Sequence, residues 1–464
     1  RIEMSVCLAK SKLLEILGEP VPQDSERLVF QGVVLDFRRI QGGELFVALP
    51  DGRAYVQNAL DQGAALCLVE SPFEPASLTE PERVLVVGNA LEALGRLAAW
   101  WRRELGLPLV AIAASSLASV VKELTAVILL KHSRGTYSYY DNPSQAEMFL
   151  TLCQANREHA WMVLEMPDLA AEELPGLVRL VAPDVGVVLG AQRGSAHVES
   201  ELREGLEEGS TLIVDGDDEC AYAALRSQGG TVNLLCVGSK VECEAQVLEV
   251  RSRGLAGIKC RISLLGEEIE LESRLLGKQQ AFNLAAAALT AKIVAPQLSA
   301  AQIQAAVSGF VIPRSQPHLR VVAPERVIVD GTCYFNPDGM SSLFELAQEA
   351  KTGGREVGLL LGGNGSLDQE HLIVRAASEL RPAFIVAVGE IASLMEKARE
   401  VEGLKVFTAP SPQAAAHILH KLPFNVLFAK GSREIGLDKT VEILLELEGE
   451  MSPQGEPGFN KVEG

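Results

Sequence analysis

Short apolar runs, each closed by turn residues and followed by a helical pattern, recur along most of this chain, and that alternation leaves few folds open. In the last third, "ERVIVDG", "REVGLLLGG", "PAFIVAVG", "LKVFTA" and "FNVLFAKG" are five regularly spaced strand candidates with helical stretches between them. Parallel strands need a long crossover between them, usually a helix, so this spacing predicts an open doubly wound α/β sheet. The middle third repeats the pattern with "HAWMVLEM", "PDVGVVLG" and "STLIVDGDD". These runs are uniformly apolar, as expected of parallel strands covered on both faces. There too, "VECEAQVLEVRSRGLAGIKCRISLLGEEIELES" alternates in polarity and predicts an antiparallel patch, while the alanine-rich "AFNLAAAALTAKIV" predicts a helix.

A chain of 464 residues exceeds what one core usually organises. The texture divides it into residues 1–106, 107–312 and 313–450, with a polar Gly/Pro tail at 451–464 expected to be disordered. The first segment alternates short apolar runs ("RLVFQGVVLDF", "GELFVALPDG", "ALCLVE") with turns and a helix "AYVQNALDQG". Its connector, "ALEALGRLAAWWRRELG", carries Leu91, Leu94, Leu97 and Trp101 at helical spacing and stops at Gly106 and Pro108. The two prolines of "VIPRSQPHLRVV" mark the second boundary.

The formal charge of −19 argues against nucleic acid and anionic membranes as partners, and the densest basic clusters, Arg102-Arg103 and Arg251 to Arg253, are short. An aromatic share of 5% leaves little for stacking on single-stranded nucleic acid. No apolar run reaches membrane-spanning length and no signal peptide opens the chain, so a cytoplasmic location is expected. Cys7, Cys67, Cys153, Cys220, Cys236, Cys243, Cys260 and Cys333 form no CxxC pair; most lie in apolar runs and are expected to be buried small hydrophobes in a reducing compartment.

The stretch "LPLVAIAASSLASVVKELTAVIL" has the strand–turn–helix frame of a phosphate-binding loop. Such a loop uses glycines to bring backbone N–H groups close to the phosphates and a lysine to neutralise them. Its turn here is Ala114-Ser115-Ser116-Leu117-Ala118-Ser119. The frame is kept and the groups that hold a triphosphate are missing.

Taken in order, "GELFVAL", "DGRAYVQNALDQGAALCLVE", "VKELTA", "VLEM", "PDVGVVLG" with "AHVE", "TLIVDGDD", "FNLAAAA", "NPDGM" and "AKGSR" resemble the Mur ligase family over about residues 25 to 450. Within it they are most similar to the ligases that add D-alanyl-D-alanine to UDP-N-acetylmuramoyl-tripeptide. The resemblance implies an N-terminal UDP-sugar-binding domain, a central P-loop-type ATPase domain and a C-terminal Rossmann-like ligase domain. It also implies ATP-driven amide formation with ATP and Mg2+. A substrate carboxylate is phosphorylated and the acyl phosphate is attacked by an amine, chemistry that rests on positioning and charge neutralisation.

Carried over residue by residue, the family's glycines fall at Ala114 and Leu117, its phosphate lysine at Ala118 and its magnesium-binding threonine at Ser119. Lys122 matches a helix lysine common in relatives and is expected to be solvated. The family's carbamylated lysine has no counterpart, because no lysine occurs between Lys131 and Lys240. Leu169 and Ala170 replace an Asn-His pair, Gly331 an acid, Tyr334 an asparagine, Gly363 an aspartate, and Phe37 a serine on the uridine side. Glu165 and His197 match the magnesium side, Asn283 and Asn336 the nucleotide side, and Lys430-Gly431-Ser432-Arg433 the third-domain loop. Each also has a structural explanation, as a strand-end cap, a helix-start residue or a turn. His417 and His420, one turn apart on a helix, are expected to be ordinary histidines, and the acids of "DGDDEC" to belong to a turn.

Three functions follow from these losses. One is a Mur-ligase-like pseudoenzyme, needing no cofactor, that binds, regulates or scaffolds in peptidoglycan precursor synthesis, with a UDP-N-acetylmuramoyl-peptide or an active cell-wall enzyme as partner. The others are an active ligase with a diverged nucleotide site, and a structural interaction subunit that binds no small ligand.

Overall fold

The computed structural model describes residues 5–22, 27–113, 118–139, 143–170, 172–189, 196–227, 229–240, 242–312, 316–323, 325–332, 337–363, 375–402, 404–431 and 433–448. The tail at 451–464 lies outside them. Among the described residues, no helix is long and apolar enough to cross a membrane.

Near the N-terminus, β1 (Cys7–Ala9) pairs antiparallel with β2 (Val29–Gln31). A parallel sheet follows in chain order: β3 (Val33–Val34), β4 (Leu45–Ala48), β5 (Leu66–Glu70) and β6 (Val84–Val87). The helix Ala90–Leu105 leads out of it. Asn89 caps its start, accepting a 2.8 Å hydrogen bond from the Glu92 N–H, and Gly106 at φ 60° ends it in the left-handed region open to glycine. Leu94, Leu97 and Trp101 are buried as their spacing demands.

The central sheet contains β7 (Leu109–Ile112), β8 (Thr136–Tyr137), β9 (Met162–Glu165), β10 (Val185–Val188), β11 (Thr211–Asp215), β12 (Asn233–Gly238), β13 (Ala245–Ser252), β14 (Ile258–Leu264) and β15 (Glu267–Ser273). Their order is β15-β14-β13-β12-β11-β10-β7-β9-β8. The uniformly apolar runs became buried parallel strands, and the alternating stretch became the antiparallel β13–β15 patch. The helix Gln280–Val294 packs its buried alanines against the helix Ala118–Leu130.

The third sheet is β16 (His318–Ala323), β17 (Arg326–Gly331), β18 (Val357–Gly362), β19 (Phe384–Val388), β20 (Val406–Ala409) and β21 (Val426–Gly431). The five expected strands are parallel in the order β17-β21-β18-β19-β20, with β16 antiparallel at the edge. Alternate residues feed separate cores on the two faces: Val329, Leu359 and Phe428 on one, Ile328, Leu360 and Leu427 on the other. That is the doubly wound arrangement. Three α/β units in series, with a P-loop-type sheet in the middle, give the overall architecture.

One hydrophobic cluster runs from the N-terminal sheet through Leu94, Leu97 and Trp101 into Leu109, Phe149 and Leu164 of the central unit. Polar contacts pin the same joint. Trp101 Nε1 donates to the Ala155 carbonyl at 2.9 Å, and Arg102 Nη2 lies 2.7 Å from Asp184 Oδ2. That oxygen also accepts from the Leu109 N–H at 2.8 Å.

Candidate functional site

β7 and β9 are parallel neighbours with Ile112 opposite Glu165, so both strands end at one level beneath the start of the helix Ala118–Leu130. Ala114 and Leu117 lie outside the described residues. Ala118 opens the helix and is buried, presenting a methyl group where the resemblance puts an ammonium. Ser119 Oγ lies 3.1 and 3.0 Å from the two carboxylate oxygens of Glu165 and donates to them. The Glu165 N–H in turn donates to Ser138 Oγ at 3.1 Å.

Lys122 corrects the expectation of a solvated residue. Its Nζ is 3.1 Å from Glu165 Oε2 and 3.8 Å from Glu123 Oε1, and the side chain has no exposed surface. The helix is covered by the sheet on one side and by the helix Gln280–Val294 on another, so position 122 has no face left for water. An ammonium is tolerated there because a carboxylate meets it.

The remaining candidates divide. The side chains of His197 and Arg433, and all of Asn336 and Ser432, lie outside the described residues; His197 stands in the helix Ala196–Gly205. Asn283 sits in the first turn of the helix Gln280–Val294 and is fully buried. Its Nδ2 donates to Gln280 Oε1 at 2.8 Å, while its Oδ1 has no hydrogen-bond partner among the described residues. Lys430 is buried at the end of β21. Gly431 has a packing reason, since a Cβ there would lie 2.6 Å from Leu437 Cδ1. At Gly331 a Cβ would crowd the Ala429 carbonyl at 3.1 Å, so this backbone leaves little room for an acid.

Elsewhere the side chains serve turns and surfaces. Asp215 Oδ1 accepts from the Asp217 N–H at 2.9 Å, and Asp218 Oδ1 from the Ala221 N–H at 3.0 Å, capping the helix Glu219–Ser227. Burial holds the Asp215 carboxyl above its ordinary range. His417 and His420 are exposed, and His420 Nδ1 lies 2.9 Å from Glu448 Oε1. Phe37 stacks on Tyr55 at 4.8 Å between ring centroids, filling the position of the family's serine with an aromatic pair. Leu169 and Ala170 form irregular chain beyond β9.

Position 118 carries no charge, and the cation one helical turn on is turned inward onto Glu165. Among the described residues, Asn283 Oδ1 and, on the helix Ala118–Leu130, Thr125 Oγ1 are buried without a hydrogen-bond partner. Sequence reading missed the Lys122–Glu165 pair because its partner is 43 residues away and only the strand register brings them together.

No family model matches the chain. The UDP-N-acetylmuramoyl-tripeptide–D-alanyl-D-alanine ligase of Bacillus subtilis (strain 168) is 25% identical over 357 residues, covering 73% of this chain and 74% of that protein. The same enzyme of Mycobacterium leprae (strain TN) is 24% identical over 511 residues, covering 94% and 98%. Among solved structures, MurF from Acinetobacter baumannii matches with a TM-score of 0.79 at 19% identity, covering 95% of this chain and 99% of that one. MurF ligase from Thermotoga maritima in complex with ADP matches with a TM-score of 0.74 at 16% identity, covering 90% and 97%. Sequence and fold point the same way: along most of its length the chain is similar to UDP-N-acetylmuramoyl-tripeptide–D-alanyl-D-alanine ligases, and it shares the fold of MurF.

Proposed function

We propose that this chain has lost ATP-dependent amide ligation and acts in the cytoplasm as a non-catalytic binding, regulatory or scaffold protein of peptidoglycan precursor synthesis, without a cofactor. One observation carries the reading. Ala118 stands where the phosphate lysine is expected, and Lys122, the nearest candidate to replace it, is buried and committed to Glu165. A triphosphate would meet the Ala118 methyl group where it needs a cation, and in the sequence Leu117 replaces a glycine of the family loop. Losing a single oriented donor at such a centre costs on the order of 100- to 1000-fold in rate. Here the lysine, two glycines and the second-metal lysine are all gone, and such losses act as a set.

The decisive experiment is ADP release with UDP-N-acetylmuramoyl-tripeptide, D-alanyl-D-alanine and Mg·ATP. No turnover above background is expected; turnover that depends on both substrates overturns the proposal. A second reading, an active ligase with a diverged site, draws support from the buried Lys430 and from Asn283 Oδ1, which meets no hydrogen-bond partner among the described residues. The same assay decides it. Calorimetry with the UDP-linked tripeptide then separates a binding protein from a subunit that takes no small ligand.

A further inference from the structure

Sequence spacing treats the cysteines as scattered hydrophobes, yet two of them meet. Cys236 in β12 and Cys243, just before β13, bring their Sγ atoms to 2.8 Å. The fold makes room for the pair with two glycines. A Cβ at Gly216 would lie 2.4 Å from Cys243 Sγ and 3.1 Å from Cys236 Sγ, and one at Gly238 would lie 3.0 Å from Cys243 Sγ. The turn between them is held from both sides. Asp217 accepts from the Ser239 N–H at 2.9 Å, and the Cys236 N–H donates to Glu244 Oε2 at 2.8 Å. A cavity of about 650 Å³ is lined by both cysteines and by Tyr222, Arg226 and Lys240. Cys243 is the more accessible, 8% exposed against none for Cys236.

We propose that Cys236 and Cys243 are a redox-active dithiol, oxidised to an intramolecular disulfide by a low-molecular-weight disulfide that enters this cavity. Cys243 Sγ, losing its proton, attacks one sulfur of the small disulfide; the other leaves and takes up a proton as a free thiol. Cys236 Sγ then attacks Cys243 Sγ, and the second small thiol leaves with the Cys236 proton. Two protein thiols are oxidised and one small disulfide is reduced to two thiols. Burial, then the neighbouring Cys236 and the Asp217 charge, hold the Cys243 thiol above its ordinary range, so the exchange is slow. The bond formed ties β12 to the entry of β13, where the parallel part of the sheet meets its antiparallel part.

The test is incubation of the folded full-length chain with oxidised glutathione, alkylation of free thiols, and tryptic mapping. Trypsin cuts after Lys240, between the two cysteines, so the disulfide appears as peptide Ser227–Lys240 joined to Val241–Arg251 and disappears on reduction. Cys153 and Cys260, buried with no disulfide, are expected to stay reduced. Cys236→Ser is expected to trap a glutathione adduct on Cys243, and Cys243→Ser to leave Cys236 unmodified. The proposal fails if the wild-type chain gives only glutathione adducts, links either cysteine elsewhere, or alkylates as fully as the untreated protein.

Discussion

Lys122 and Glu165 form an ion pair inside the central unit, Nζ to Oε2 at 3.1 Å, the ammonium with no exposed surface and the carboxylate almost none. One comes from the helix that follows β7 and the other from the end of β9, so the pair fastens helix to sheet just where the phosphate-loop frame begins.

Removing one partner leaves a buried charge uncompensated. Lys122→Met is expected to destabilise the protein by about 3–5 kcal/mol. The double variant Lys122→Met with Glu165→Gln should recover much of that loss, because neither site then holds a bare charge. Denaturant melts of the two single variants and the double variant measure the coupling; additive effects would show that the pair does not interact.

Nucleotide affinity should be poor for the native sequence and repairable. Calorimetric titration with Mg·ATP is expected to give a dissociation constant of about 1 mM or weaker. Restoring the loop with Ala114→Gly, Leu117→Gly and Ala118→Lys together should tighten binding by roughly tenfold or more, the effect of recovering one charge-assisted contact. Micromolar binding by the unaltered chain would contradict the electrostatic reading.

Phe37 and Tyr55 close on each other where a uridine-side serine is expected. Phe37→Ser should cost about 1 kcal/mol of stability through the lost stack. It should also raise affinity for UDP-N-acetylmuramoyl-tripeptide if the pair blocks that pocket. Unchanged affinity with reduced stability would assign the pair to packing alone.

Glu199 is buried, with no hydrogen-bond partner for Oε2 among the described residues. Burial, reinforced by Asp218 and Asp215, holds its carboxyl above the ordinary range. A raised carboxyl binds its proton more tightly when folded. Its stabilising effect is therefore full below the unfolded value and lost as pH rises through the folded one. Glu199→Gln is expected to stabilise the protein at pH 7 by on the order of 1 kcal/mol. The gain should vanish below about pH 4, where both forms are neutral. Thermal melts across that range check the sign.

The strands were legible because burial on both faces writes itself as runs of Val and Leu broken only by glycine, as in β10 and β18. The antiparallel patch showed as alternation, and the helix Ala90–Leu105 carried its own stop signal in Gly106. What stayed hidden was order across the sheets. Nothing local indicates that β21, late in the chain, inserts between β17 and β18. The buried state of Lys122 was hidden for the same reason, since the helix that covers it lies far along the chain. Cys236 and Cys243 are close in sequence, but only the packing of Gly216, which arrives from the end of β11, reveals that their sulfurs share one space.

The cluster that joins the N-terminal sheet, the Ala90–Leu105 helix and the central sheet has a mechanical consequence. Cutting the chain after Gly106 would open an apolar face on each product, because neither side owns a complete interior. The third sheet, by contrast, has an interior on each of its faces that takes only Leu276 and Leu255 from the central unit. The molecule should therefore melt as two cooperative blocks, the first two units together and the last apart, and swing about a single joint.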